Sequence, residues 1–274
     1  MGTGGVKRSF GILLLMKMIG EGLRVAASDV ANFLACGHLT RLDMLAARRQ
    51  LRPPHVYDAG FKDLVERGEA HEQAVLAGFR VRGWSVASIA DQPEAAAARD
   101  TLAALRDGAD VVYQGVLTAD RGDGPPLLGR PDFLVRAGLL PVPDGARSPA
   151  YSSGDATAYS TGDSPGDASG APLYEVVDAK LARSAKARAV AQVGFYSGLL
   201  AEAQGVPPRW MHLALGGGSF TALKVSDYAA YERQARRRLA AFMDDPGDPP
   251  YPEPVEHCAI CRWRDRCADS SPVT

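Results

Sequence analysis

Charge imbalance is the first thing this chain lacks. Over 274 residues the formal net charge is −1, which excludes a protein that coats nucleic acid through bulk positive charge. Any polyanion site must therefore be a local basic patch. Long apolar runs are missing as well. The stretch from Phe10 to Ile19 is interrupted by Lys17, is too short for a bilayer span and is followed by no clear small-residue cleavage site. It reads as part of a flexible leader over residues 1–27, or as a start assigned ahead of a true Met18. A cytoplasmic protein without membrane contact is expected. Cysteine is scarce, four in all, and three are crowded into one short C-terminal stretch, unlike the spread-out pairs of a disulfide-stapled secreted domain. Also absent are the H-E-x-x-H of zinc proteases and, after Gly216-Gly217-Gly218, the Lys-Ser or Lys-Thr of a phosphate-binding loop.

What is present suits one sizeable domain with extensions. Ser28-Asp29 signals a helix N-cap ahead of Val30, Phe33 and Leu34. Cys36 ends that helix before Gly37, and Leu39, Leu42 and Leu45 continue a second helical pattern. Helical spacing also predicts helices over 57–80, 93–107, from Ser184 to about Gln204, and over 227–243. The last of these carries Arg233, Arg236, Arg237 and Arg238, either a solvated basic face or a DNA contact. Strands are expected over 110–117 and 127–135, joined by a turn with Gly122, Gly124 and Pro125-Pro126, and as a hairpin over 210–215 and 220–225. Residues 141–172 have almost nothing to bury and read as a disordered insertion, tolerated if it crowns a hairpin. Residues 268–274 read as a tail.

The chemistry gathers at Tyr174–Lys180, a short apolar run ending in Asp178-Ala179-Lys180. In a strand, residues two apart share a face, so Asp178 and Lys180 look into one site. A second acid, Asp132, stands in Arg130-Pro131-Asp132-Phe133 beside another strand-like run. Two carboxylates and a lysine on neighbouring strands suit phosphodiester hydrolysis: the acids hold a hard divalent cation and the lysine steadies the attacking water or the developing charge. His71 lies in the charged segment Gly68-Glu69-Ala70-His71-Glu72 of an amphipathic helix. Gln192 and Tyr196, four apart, share a helix face. That helix opens among Lys180, Arg183, Lys186 and Arg188, a reasonable place for a phosphate. Cys258, Cys261 and Cys267 form C-x2-C-x5-C, and with Cys36 they supply four ligands, enough for a 4Fe-4S cluster or a tetrahedral zinc.

In this order the residues resemble the RecB-like nucleases of the PD-(D/E)xK class, among them the iron-sulfur exonucleases associated with CRISPR systems and helicase-nuclease subunits. The likeness runs from Ser28 to Cys267: early Cys36, His71 after a glycine, Pro131-Asp132, Asp178-x-Lys180, Gln192-x-x-x-Tyr196, and the late cysteine trio. It departs from the pattern in the 141–172 insertion and in ending at Thr274, where some relatives continue into another domain. The resemblance implies an α/β, restriction-endonuclease-like fold over 28–267, a mixed sheet flanked by helices, with both chain ends forming a helical iron-sulfur cap. It implies that His71, Asp132, Asp178 and the Ala179 carbonyl bind Mg2+ or Mn2+. Lys180 would position the nucleophile, and Gln192 and Tyr196 would orient substrate. Cys36, Cys258, Cys261 and Cys267 would hold a structural 4Fe-4S cluster, with Zn2+ as the alternative; His257 either replaces one thiolate or stands outside the ligand set. The implied activity is a deoxyribonuclease acting on single-stranded DNA or free ends in repair, recombination or CRISPR-type processing, with a helicase or CRISPR/repair protein as partner. The rival readings are a catalytically silent nucleic-acid-binding scaffold and a zinc-stapled interaction module.

Overall fold

A computed structural model of the chain describes residues 16–19, 22–54, 59–120, 122, 124–143, 170–247 and 253–269. Residues 1–15 of the expected leader, 144–169 of the insertion and 270–274 of the tail lie outside the described residues. In chain order the elements begin with β1 (Lys17–Ile19), β2 (Gly22–Ala26), α1 (Ala27–Ala35), α2 (Gly37–Ala47), α3 (Ala59–Val81), β3 (Val86–Ser88) and α4 (Glu94–Arg106). Next come β4 (Val111–Tyr113), β5 (Leu117–Ala119), β6 (Leu127–Gly129), β7 (Phe133–Arg136) and β8 (Tyr174–Lys180). The chain continues with α5 (Ala187–Gln204), β9 (Trp210–Leu215), β10 (Phe220–Lys224), α6 (Val225–Asp244), a 3-10 turn (Glu256–Ile260) and α7 (Arg264–Asp269). Among the described residues this is a mixed α/β fold with two mixed sheets and seven α-helices.

The larger sheet runs β10-β9-β8-β7-β4-β3. Tyr174 to Asp178 of β8 are buried without a break, so this strand must be covered on both faces. Alternation decides which helix covers which residue. Val177 turns with Phe133, Val135, Val111 and Tyr113 onto Leu76 and Phe79 of α3. Val176 turns with Leu134, Val112 and Leu213 onto Val193, Leu199 and Leu200 of α5. Each such fully buried side chain stabilises the fold by about 2 kcal/mol. The smaller sheet runs β1-β2-β6-β5, with β2 parallel to β6 between two antiparallel edges.

Three expectations change. The C-terminal part of the 1–27 leader is built into the smaller sheet, because Leu23 and Val25 bury in the core and Val25 N–H donates to the Pro126 carbonyl at 2.9 Å. That burial offsets the entropy of ordering the segment. Residues 110–117 and 127–135 are each two strands rather than one. The hairpin keeps a single register, Tyr113 opposite Phe133 and Leu117 opposite Gly129, but it turns a corner between. Gln114 adopts a left-handed φ of 56°, and Pro131 has no N–H to give to a ladder. One half of the hairpin therefore enters each sheet, and Asp132 stands in the corner just before β7 instead of within a strand. Lastly, α5 starts at Ala187 with Lys186 as its N-cap, not Ser184.

The insertion does crown a hairpin, since β7 and β8 pair antiparallel with Phe133 opposite Val177. Its near edge is less polar than expected, as Val142 is buried. No helix among the described residues is long and apolar enough to cross a membrane.

At the start of α1, Asp29 accepts the Ala26 N–H at 2.7 Å and the Met16 N–H at 3.0 Å, tying β1 to the helix. Burial pushes its carboxyl up to about 7, against the two backbone hydrogen bonds that lower it. A carboxyl raised in the folded state gives stability that is complete below its unfolded value near 4 and is lost as pH rises through 7. Asp29→Asn should therefore flatten the stability profile between pH 4 and 7, removing a wild-type decline of up to about 4 kcal/mol. Urea unfolding across that range checks this; parallel profiles for the two proteins would contradict it.

Candidate active site

The register that pairs β7 with β8 sets Asp132 level with Asp178 at the end of the ladder. Asp132 Oδ2 accepts the Ala179 N–H at 2.7 Å. The contact seen for Ala179 is thus its N–H rather than its carbonyl. Asp178 is 1% exposed, and its Oδ2 forms an ion pair with Lys180 Nζ, as the two-residue spacing on one strand requires. The electrostatics follow from this crowding. Burial drives the Asp132 carboxyl well above its ordinary range, and Asp178 and Glu72 push the same way against Lys180 and the Ala179 N–H. Burial alone would lower the Lys180 ammonium, but Asp178 and Asp132 outweigh it and hold the group above its usual value. Lys180 is charged wherever these acids are.

Asp178 and Lys180 lie on the α5 face of β8. Gln192 Nε2 donates to Tyr196 Oη at 3.0 Å, and the buried phenol is raised first by burial and then by Asp178, with Asp132 adding to it. Asp132, Asp178, Lys180, Gln192 and Tyr196 are therefore brought together. Two glycines make the assembly possible. A Cβ at Gly129 would lie 2.7 Å from Leu199 and 2.9 Å from the Tyr196 ring, so only glycine lets α5 rest on β6 there. A Cβ at Gly216 would strike the carbonyl of Leu181, the residue after Lys180.

His71 meets β9 instead of the acids. Its Nε2 lies 2.9 Å from the Ala214 carbonyl oxygen, so Nε2 carries the proton in that bond and Nδ1 is left as the acceptor. The residue of α3 that addresses Asp132 is the next one, Glu72, buried and accepting a hydrogen bond from Gln114 Nε2. Gln114 also donates its backbone N–H to the Asp132 carbonyl at 2.8 Å. Sequence reasoning missed both. The signal for Glu72 was an acid beside the chosen histidine; for Gln114 there was none, because a left-handed corner ordinarily selects Gly or Asn.

Cys36 and the C-terminal cysteine segment do meet. Cys36, Cys258, Cys261 and Cys267 line one small cavity with Leu39, Val255 and His257. Burial raises the Cys261 and Cys267 thiols first, and the neighbouring cysteines add to it, Cys267 and Cys36 for the one, Cys36 and Cys258 for the other. The donor chemistry suits a thiolate-bound metal. Even so, no set of three or more His, Cys, Asp or Glu side chains among the described residues is gathered closely enough to hold a metal ion. What joins the ends here is Asp43, which accepts from Trp263 Nε1 at 2.6 Å and from Arg262 Nε at 3.1 Å. Arg188, expected among the phosphate-facing cations, turns inward with Nη1 3.3 Å from His257 Nδ1, while Arg183 and Lys186 stay exposed.

Gly129→Ala should destabilise the protein by about 2 kcal/mol, because neither Leu199 nor the Tyr196 ring can give way without disturbing α5. Chemical denaturation measures it, and an unchanged midpoint would contradict the close approach.

No protein-family model and no curated protein matches the chain. Among solved structures, one described as "Crystal structure of SSO0001" is similar at 12% identity over 91% of this chain and 87% of that chain, with a TM-score of 0.35.

Proposed function

We propose that this chain is a metal-dependent deoxyribonuclease of the RecB-like, PD-(D/E)xK type on a restriction-endonuclease-like core. The observation that carries it is the buried Asp178, ion-paired with Lys180, and Asp132 set level with it by the β7–β8 register. Burial and Asp178 push the Asp132 carboxyl toward its neutral form, and a hard divalent cation between the two acids would displace that proton and balance their charge. Asp132 and Asp178 hold Mg2+ or Mn2+, and His71 can join them only by presenting Nδ1. Bound there, the ion would supply a more acidic water and neutralise charge on the phosphoryl oxygens. Lys180 stays protonated beside Asp178 and stabilises negative charge at the attacked phosphate. Tyr196, its proton retained by burial, donates a hydrogen bond toward the substrate and is itself oriented by Gln192. Arg183 and Lys186 at the start of α5 neutralise flanking phosphates.

In the same reading Cys36, Cys258, Cys261 and Cys267, drawn closer than they stand around their shared cavity, would hold a structural 4Fe-4S cluster, or Zn2+. The substrate is single-stranded DNA or a free DNA end, and the setting is the cytoplasm, in repair, recombination or CRISPR-type processing beside a helicase or CRISPR/repair partner.

End-labelled single-stranded and duplex DNA incubated with anaerobically purified protein and Mn2+ tests this. Wild type should cut and carry iron with sulfide rather than zinc. Lys180→Ala and Asp132→Ala should each fall by about a hundredfold or more. A wild type that binds DNA and keeps its cluster but does not cut would replace the nuclease with a scaffold.

A further inference from the structure

The arginines of α6 do not share one fate. Arg236 forms an ion pair with the buried Glu232, and Arg238 places its guanidinium 5.9 Å from the Phe33 ring centre. Arg233 and Arg237 are exposed. These two, with Arg236, line a groove of about 180 Å3 together with the buried Val25, Leu127 and Leu239 and with Gly124-Pro125; the buried three count as its floor. No carboxylate lines this groove among the described residues. Like charges four apart on a helix repel, so Arg233 and Arg237 weaken α6 unless an anion lies between them. Bulk basicity does not explain them either, since the net charge is −1.

The position of the groove is what gives it meaning. Leu127 of its floor and Asp132 belong to the same arm of the cornered hairpin, five residues apart. At about 3.3 Å per residue the arm spans at most ~17 Å, the rise of about five bases at duplex spacing. An apolar floor beneath guanidinium groups accepts bases or sugars below and phosphates above, and the volume is too small for a drug-sized ligand.

We propose that the groove between α6 and the β2–β6 pair is a phosphodiester-backbone site that holds one strand of DNA no more than about five bases from Asp132. This rests on the nuclease reading for its substrate class. The groove adds to that reading a preference for strands long enough to reach both places.

Fluorescence anisotropy in EDTA, with labelled single strands of four and of twelve nucleotides, separates the two claims. Arg233→Glu with Arg237→Glu should weaken the twelve-mer at least tenfold and leave the four-mer unchanged. It should also reduce the slope of log affinity against log salt by about 1.4, at roughly 0.7 per phosphate contact. Arg233→Lys with Arg237→Lys, which keeps the charge, should retain most of the binding and the same thermal midpoint. Equal twelve-mer affinity and slope in wild type and the glutamate variant would overturn the groove. So would displacement of the twelve-mer by inorganic phosphate alone, which would mark a single-anion site. Equally effective displacement by a poly-aspartate peptide would mark a protein partner and overturn it too. Failure of the nuclease reading shows differently: wild type binds the twelve-mer through these arginines yet never cleaves with Mn2+.

Discussion

Two carboxylates forced level by strand register repel each other, and burial makes the repulsion worse. Asp132 and Asp178 stand in that position, and Lys180 is the cation that the strand's own two-residue period puts within reach. Much of the surrounding structure serves this corner. Gln114 accepts a left-handed backbone so that the hairpin can turn and bring Asp132 in. Gly129 lets Tyr196 close over the acids, and Gly216 lets β9 pass the residue that follows Lys180. Such strain and close approach cost stability, and sites of this kind are where proteins tolerate the cost.

A second constraint holds the chain ends. Asp43 is 3% exposed and Trp263 is 1% exposed, so their hydrogen bond is made out of reach of water and is expensive to leave unmade. The clamp brings the C-terminal segment onto α2 through protein contacts of its own, with Leu39, Leu42 and Trp263 as a small separate core. Arg188, in the first turn of α5, reaches His257, and α5 also carries Gln192 and Tyr196. The helix that covers the acids and the cysteine-bearing end are thus mechanically joined.

The sequence made some of this legible and hid the rest, for physical reasons. Strand period predicted the Asp178–Lys180 pairing, and the helices and the 210–225 hairpin followed from apolar spacing and turn residues, which are local signals. The corner at 114–116 and 130–132 was not local: each arm reads as one apolar run, and only the choice between two sheets breaks it. The orientation of α3 was invisible for a related reason. His71 and Glu72 are adjacent, so their side chains point about 100° apart, and tertiary packing alone decides which one meets Asp132. Asp43 reads as an ordinary helical acid until Trp263 and Arg262, some two hundred residues later, arrive beside it. The inward turn of Arg188 depends on the same arrival.

The most direct test is to see the cation. Crystals grown at neutral pH and soaked in Mn2+ should give an anomalous difference peak between the Asp132 and Asp178 carboxylates, lost in Asp178→Asn. A protein that diffracts well and shows no manganese at that corner, or shows it elsewhere and unaffected by the substitution, would contradict the account.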